Sequence, residues 1–441
     1  MHEFKYVNGK LACENVSVDA LARAHGTPLY VYSQGTLARH FQRLDAAWAA
    51  VPHGICFAVK SNSNLAVLRV LANLGSGFDV VSEGELRRVC AAGGNPGTCI
   101  FAGVGKTQAE IDYALQQEIY AFNVESEAEL ERIDRLAARR GKAAPVALRV
   151  NPNVDALTHA KITTGTYLNK FGIPLEEIRG LAARARRLKH VRIRGLQMHI
   201  GSQISEAKPF AVAARKVVPL IQELKKDHPL EFFSAGGGLG IVYEAALESG
   251  AEAWWESPAA RQQLTAVDHA ADLVPMLEPL GLRILLEPGR FIAGNAGILV
   301  TRVEYVKRMG SKTFVIVDAA MNDLVRPAFY DAYHEIVPVA ARNGAMVACD
   351  VVGPVCESSD YFARNRRLPR VQEGDLLAVM SAGAYGFSMA SNYNTRPLPA
   401  EVLVHGRLAA VARFRQYLPR IWEAEKLPRW LKFQRLPPTR P

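Results

Sequence analysis

The sequence predicts an α/β protein in which a (β/α)8 barrel is joined to a C-terminal antiparallel β domain, to which the N-terminal strands contribute. Three observations carry this expectation. From Ile55 onward one unit recurs: a short β-rich apolar run, a Gly/Ser/Asn turn, then an amphipathic helix. Eight such runs precede Gly289, and repetition of this kind implies parallel strands with helices packed outside. After Gly289 the apolar runs continue without regular helices between them, the pattern of an antiparallel sheet. The length of 441 residues also exceeds what one hydrophobic core usually supports, so two domains are expected, with the barrel taking roughly 250 residues.

The first 35 residues hold two β-rich stretches, KYVNGKLACENV and TPLYVYS, expected to pack with the C-terminal β domain. The barrel is assigned to 36–288. Its strands are read at ICFAVK (55–60), GFDVV (77–81), TCIFAG (98–103), IYAFNV (119–124), VALRV (146–150), IRGLQMHI (193–200), LEFFSAG (230–236) and LRILLE (282–287). Three intervening helices open with Ser/Thr followed three residues later by Glu: Ser82 with Glu85, Thr107 with Glu110, and Ser126 with Glu129. Each reads as a capping box, which satisfies orphan amides and so fixes where strand gives way to helix. Residues 289–415 form the β domain, with strands at GILVTRVEYVKR, KTFVIVDA, AMVACDVVGPV, DLLAVMSAG and AEVLVHGRL. The remaining 416–441 is basic and contains five prolines, and reads as a short helix with a frayed end.

With 49% of residues apolar and 22% charged, the chain falls outside the disordered, collagenous and disulfide-mini-protein classes. The cysteines at 13, 56, 90, 99, 349 and 356 form no C-x-x-C pair and no cluster with zinc spacing, so no metal site is expected and a reducing compartment fits best. The opening MHEFKYVNGK places charges where a signal peptide needs an apolar core, and the longest uncharged run, 376–395, is too polar for hydrocarbon. A soluble cytoplasmic protein with no membrane partner is expected. The balance of 53 Lys+Arg against 43 Asp+Glu leaves +10, dispersed over several elements without interleaved aromatics. Solvated basic faces are favoured over a nucleic-acid site.

In such a barrel the chemistry sits at the C-terminal ends of the strands. Lys60 closes the first strand in FAVKSNSN, and a lysine desolvated there would have a lowered pKa suited to Schiff-base formation. Taken alone, a lysine snorkelling from a strand end is the simpler reading. Context reverses it. The seventh strand runs into SAGGGLG (234–240), whose glycines Gly236, Gly237 and Gly238 let backbone amides approach an anion, and the eighth ends in EPGR (287–290). Phosphate sites in such barrels are commonly built from these two loops. An amine, an anion cradle and an acid at one mouth match the needs of pyridoxal 5'-phosphate.

The blocks FAVKSNSN, GFDVVSEGEL, HIGSQI, GGGLG, EPGRFIAGNAG, NDLVRPAFYDAYHEI, GPVCESSD and GAYGFSMASNYNTRP occur in this order. Over about residues 5 to 412 the chain thereby resembles the diaminopimelate decarboxylase family of alanine-racemase-like (fold type III) pyridoxal phosphate enzymes. The resemblance implies that Lys60 binds the cofactor covalently and that Glu287 keeps the pyridine nitrogen protonated. It implies that His199 lies against the cofactor ring, and that Ser202, Gly238, Gly289 and Tyr385 hold the phosphate, with Gly236, Gly237, Pro288 and Arg290 in the same loops. Asp79 and Arg149, at the ends of the second and fifth strands, would orient the lysine and the histidine, or form structural ion pairs. Cys356 would return a proton to the carbanion left by CO2, since a thiol titrates near enough to neutrality to transfer in either direction. In this family the CES segment comes from a second subunit, so a homodimer with a shared site is implied.

Diaminopimelate carries an ammonium and a carboxylate at its far carbon. Arg290 and Arg326 suit that carboxylate, Glu357 suits the ammonium, and Tyr330 and Tyr385 add hydroxyl contacts. A decarboxylase for ornithine or plain lysine would gain nothing from a buried Arg326. The expected activity is therefore decarboxylation of meso-2,6-diaminopimelate to L-lysine, the last step of lysine biosynthesis. The alternatives are a related decarboxylase acting on ornithine, arginine, carboxynorspermidine or a specialised-metabolite intermediate, and a non-catalytic cofactor-binding homologue. One departure stands out: Asn169 precedes KFGI where a serine is common, in a loop (158–173) expected to close over the site. Beyond about 415 the resemblance ends, and Trp422 and Trp430, with the basic residues around them, are expected to cap the β domain, the alternative being an added contact surface.

Overall fold

The computed structural model describes residues 1–155 and 169–431. Eight parallel strands close on themselves: His53–Ala58, Gly77–Val80, Cys99–Phe101, Ala121–Val124, Ala144–Asn151, Val191–Met198, Phe232–Gly236 and Arg283–Leu286. Each pairs with its neighbours in sequence, and the eighth pairs with the first through Leu285 opposite Gly54, which completes the barrel. All eight expected runs are strands. The first lies two residues earlier than expected, because the chain leaves it at Ala58 and Lys60 sits in a single 3-10 turn, Val59–Ser61.

Alternation decides what fills the barrel, because residues two apart on a strand share a face. Cys56, Ile100, Ala121, Ala147, Phe232 and Leu285 form a separate apolar cluster at its lower end. Gly195 makes room for the largest of them, since a Cβ there would stand 2.6 Å from the Phe232 carbonyl and 2.8 Å from its ring. The outward-facing Phe57, Phe78, Phe101, Phe122 and Phe233 pack into the layer between strands and helices.

The three Ser/Thr helix starts do cap, but only Thr107 with Glu110 is reciprocal. Ser82 and Ser126 accept from the amides of Glu85 and Glu129, yet those glutamates reach one residue further back, accepting from the amides of Val81 and Glu125. An unforeseen reciprocal box forms at Thr265 and Asp268.

The second sheet runs in the order Tyr361–Pro369, Met346–Val352, Lys312–Val317, Gly297–Met309, Leu29–Ser33, Ala400–His405, Leu408–Arg413. Most of its pairings are antiparallel, but Lys312–Val317 with Met346–Val352 and Leu29–Ser33 with Ala400–His405 are parallel. The N-terminal strand Leu29–Ser33 lies inside this sheet, fully buried between Gly297–Met309 and Ala400–His405. The three shorter N-terminal strands form their own sheet, bridged to the β domain through Lys10 and Ala340. Helix Val18–His25, capped by Ser17, lies between these two groups and was not anticipated.

Residues 156–168, which include 158–168 of the loop expected to close over the site, and 432–441 of the tail lie outside the described residues. The described tail is one short 3-10 turn, Leu418–Ile421. Trp422 and Trp430 do not cap the β domain: they are 43% and 79% exposed. No described helix is long and apolar enough to cross a membrane.

Candidate active site

The inward-facing residues one step above the apolar cluster are polar. Asp79, Arg149, Gln197, Ser234 and Glu287 continue the inward faces of their strands and are all buried. All but Ser234 floor an open cavity of about 510 Å³, including its mouth, whose walls also hold Lys60, His199, Ser202, Gly238, Gly289, Arg290 and Tyr385. Ten of the expected site residues thus meet in one place.

Lys60 Nζ donates to Asp79 Oδ2 at 2.5 Å. Burial pushes the lysine pKa down, but Asp79, with weaker pulls from Tyr385 and Glu287, outweighs it and the net shift is upward. The expected lowered pKa is therefore corrected: desolvation was the only effect foreseen, and the carboxylate opposite reverses the sign. Glu287 accepts from Ser234 Oγ at 2.6 Å and from Gln197 Nε2 at 3.0 Å. Burial, reinforced by the charge of Asp79, raises its pKa to about 7. His199 is held neutral by burial and by the fields of Arg149 and Lys60. Its Nδ1 accepts from the Gly237 amide at 3.2 Å, which assigns the proton to Nε2. Arg149 pairs with buried Glu125 at 2.8 Å.

The glycine triplet is used unevenly. Gly237 donates to His199, Gly236 donates to Ser234 Oγ, and both line a separate small cavity with Pro288, whose carbonyl accepts from Ala58. Gly236, Gly237 and Pro288 therefore hold the loops together, and only Gly238 faces the lysine. Gly237 is obligatory for packing, because a Cβ there would stand 2.1 Å from the Glu287 carbonyl. Tyr385 adopts a left-handed φ of +56°, uncommon for a bulky residue, with its amide donating to the Ser61 carbonyl at 2.8 Å. That bond ties the β domain to the turn carrying Lys60.

At the cavity's edge Arg290 donates to Tyr243 Oη at 2.5 Å and to Ser202 Oγ at 3.0 Å. Arg326 is buried nearby, with Tyr330 6.0 Å from its guanidinium. Cys356 and Glu357 are exposed and line no part of this cavity. Glu125, Gln197, Ser234, Tyr243 and His334 escaped the sequence reading. For Gln197 and Ser234 a signal existed: each is a buried polar residue at an inward position near the C-terminal end of its strand, where such a barrel keeps its chemistry.

The residues fit pyridoxal 5'-phosphate. Asp79 Oδ1, Gln197 Oε1 and Arg290 Nε are buried without hydrogen-bond partners, which polar atoms tolerate poorly unless a ligand or water meets them. A carboxylate raised to about 7 lacks a cation of the kind a protonated ring nitrogen supplies. Ser202, Arg290 and the Gly238 loop offer hydroxyl, guanidinium and amide donors to a phosphate.

Barrel, lysine, acid and anion loop together define a pyridoxal-phosphate-dependent enzyme of fold type III, and the model of the pyridoxal-dependent decarboxylase, pyridoxal binding domain, matches residues 34–294. The diaminopimelate decarboxylase of Vibrio cholerae serotype O1 is 47% identical over 429 residues, spanning 97% of this chain and 99% of that one. The diaminopimelate decarboxylase of Helicobacter pylori complexed with L-lysine superimposes with a TM-score of 0.86 at 38% identity, covering 92% of this chain and 98% of that chain. The M. jannaschii enzyme in complex with L-lysine gives 0.89 at 34%, covering 97% and 99%. The chain belongs to the diaminopimelate decarboxylase family, and its cofactor is pyridoxal 5'-phosphate.

Proposed function

We propose that this chain is a carboxy-lyase that removes CO2 from meso-2,6-diaminopimelate to give L-lysine. The observation carrying the substrate choice is the pair of buried guanidiniums, Arg290 and Arg326, with no carboxylate of the described residues within 4.0 Å of either. Buried charge without a counter-charge is costly, so the site favours a ligand that brings an anion to this edge. Diaminopimelate brings one in its distal carboxylate. Ornithine and arginine carry no carboxylate besides the one that leaves.

When bound, pyridoxal 5'-phosphate supplies the electron sink that stabilises the carbanion left by CO2. Lys60 Nζ is the amine that holds it, and Asp79 Oδ2 is placed to hold the lysine's proton. Glu287 keeps the ring nitrogen protonated, and is itself fixed by Ser234 and Gln197. His199, neutral and braced by the Gly237 amide, offers a flat uncharged face to the ring. Ser202, Gly238, Gly289 and Tyr385 hold the phosphate, while Arg149, anchored by Glu125, helps keep His199 neutral. Tyr330 and Tyr385 add hydroxyl contacts to the substrate.

Cys356 is the proposed proton donor and Glu357 the proposed partner of the substrate's distal ammonium. Their exposure, away from the cavity of their own chain, supports delivery by a second copy, hence a homodimer. The barrel over 36–288 would then carry the cofactor, and the β domain over 289–415 would serve the neighbouring site. Six free cysteines, four of them buried, support a reducing cytoplasm. The test is direct: purified protein loaded with cofactor is incubated with meso-diaminopimelate and assayed for lysine. Release of lysine is expected, and faster CO2 release from ornithine or arginine would overturn the assignment.

A further inference from the structure

Two guanidiniums buried at one edge of a cavity repel each other, and something neutral must hold them in place. Tyr243 lies between them, its ring centroid 5.9 Å from the Arg290 guanidinium carbon and 5.3 Å from that of Arg326. Its hydroxyl accepts from Arg290 Nη1 at 2.5 Å. On the other side Arg326 Nε donates to His334 Nε2 at 3.2 Å. Because that nitrogen accepts, the proton of His334 is on Nδ1, where it donates to the Met380 carbonyl at 2.8 Å. The two rings brace each other edge to face, with centroids 5.1 Å apart and planes 80° apart.

We infer that Tyr243 and His334 are positioning residues for the substrate's distal carboxylate: they anchor Arg290 through Nη1 and Arg326 through Nε, and set the spacing at which both cations meet one anion. This inference rests on the proposed role of those two arginines. Its support is what the bonds leave over. Among the described residues Arg326 makes no hydrogen bond through either Nη, so the end of its fork is available to a carboxylate. The tyrosine is tuned to these cations: burial pushes its pKa up, yet Arg290 and Arg326 together pull it below the ordinary tyrosine value. The histidine is fully buried, and burial with the field of Arg326 holds it neutral, with a pKa of about 3. It therefore adds an acceptor without adding a third positive charge. The remaining ionic neighbour, Arg366, is turned away and donates to the His334 backbone carbonyl at 2.7 Å.

The test compares Tyr243→Phe, His334→Phe and His334→Gln with the wild-type holoenzyme. Tyr243→Phe and His334→Phe each remove one acceptor to a charged group while keeping the ring, so KM for meso-diaminopimelate is expected to rise about tenfold or more, with a smaller change in kcat. The inhibition constant of L-lysine, which retains the carboxylate in question, should rise in parallel. That of 1,5-diaminopentane, which lacks it, should not move. His334→Gln, whose side-chain oxygen can still accept from Arg326, should recover most of the KM. Visible absorbance of the bound cofactor reports folding and loading in every variant. Wild-type KM in both Phe variants, or equal weakening of lysine and diaminopentane, would overturn the positioning role. A loaded wild type that releases no lysine would instead overturn the substrate reading beneath it.

Discussion

Lys60 and Glu287 show how environment, more than residue type, sets chemistry at this site. The lysine is held protonated by an acid 2.5 Å away, and the glutamate is held near the middle of its titration by burial. Lys60→Ala should abolish both cofactor absorbance and lysine production, and retention of either would remove it from the proposed role. Glu287→Gln keeps shape but cannot hold a proton on the ring, so kcat should fall by about two orders of magnitude, as measured by lysine release. The same residue makes a prediction about cofactor-free protein. Its folded pKa of about 7 lies above the ordinary 4.5, so the folded chain binds the proton the unfolded chain has released. Its contribution therefore favours the folded state below about pH 4.5 and is lost as pH rises through 7, and Glu287→Gln should flatten that part of the stability profile in denaturant titrations. Lys60, Glu287, Arg290 and Arg326 were legible in the sequence because each stands in a distinctive block. Tyr243 and His334 were not, since an aromatic after a glycine-rich loop and a histidine within an aromatic run look like packing until the arginines are placed beside them.

Among the elements, strand alternation and helix starts did most to make the barrel readable. All eight barrel strands could be found because their β-rich runs end at turn residues. The strands Ile336–Pro338, Tyr361–Pro369 and Leu408–Arg413 escaped notice, because the first is three residues long, the second carries three arginines, and the third is rich in alanine with no buried residue to mark an inward face. Cap geometry was legible to within one residue, as Glu85 and Glu129 reach the amide before the cap. Removing the reciprocal cap by Thr107→Ala should cost about 1 kcal/mol in denaturant unfolding. Gly195→Ala should cost more, about 1–3 kcal/mol, because its Cβ meets a backbone carbonyl and the Phe232 ring that fills the barrel. Equal stability of the Gly195 variant would mean that the floor of the barrel is looser than its packing indicates.

For the whole molecule, the shared-site reading has a sharp consequence. Lys60→Ala and Cys356→Ala chains, each inactive alone, should restore up to about a quarter of wild-type turnover when unfolded and refolded together, since half the dimers would be mixed and each would hold one intact site. No recovery would place Cys356 at its own chain's site or outside the reaction. The partition into barrel and sheet was visible from the change of rhythm after Gly289, but the sequence could not say that Leu29–Ser33 would lie in the middle of the later sheet, because strand order is set by long-range pairing. That placement bears on synthesis in the cell. A ribosome releases residues 29–33 early and must make roughly 260 more before the first of their neighbours, Gly297–Met309, emerges, which at typical elongation rates takes about 10–50 s. Throughout that interval the LYVYS edge, fully buried in the folded chain, waits without a mate, so newborn chains are expected to lean on chaperones, and an expression vector carrying the second sheet without its amino-terminal strand should yield aggregates.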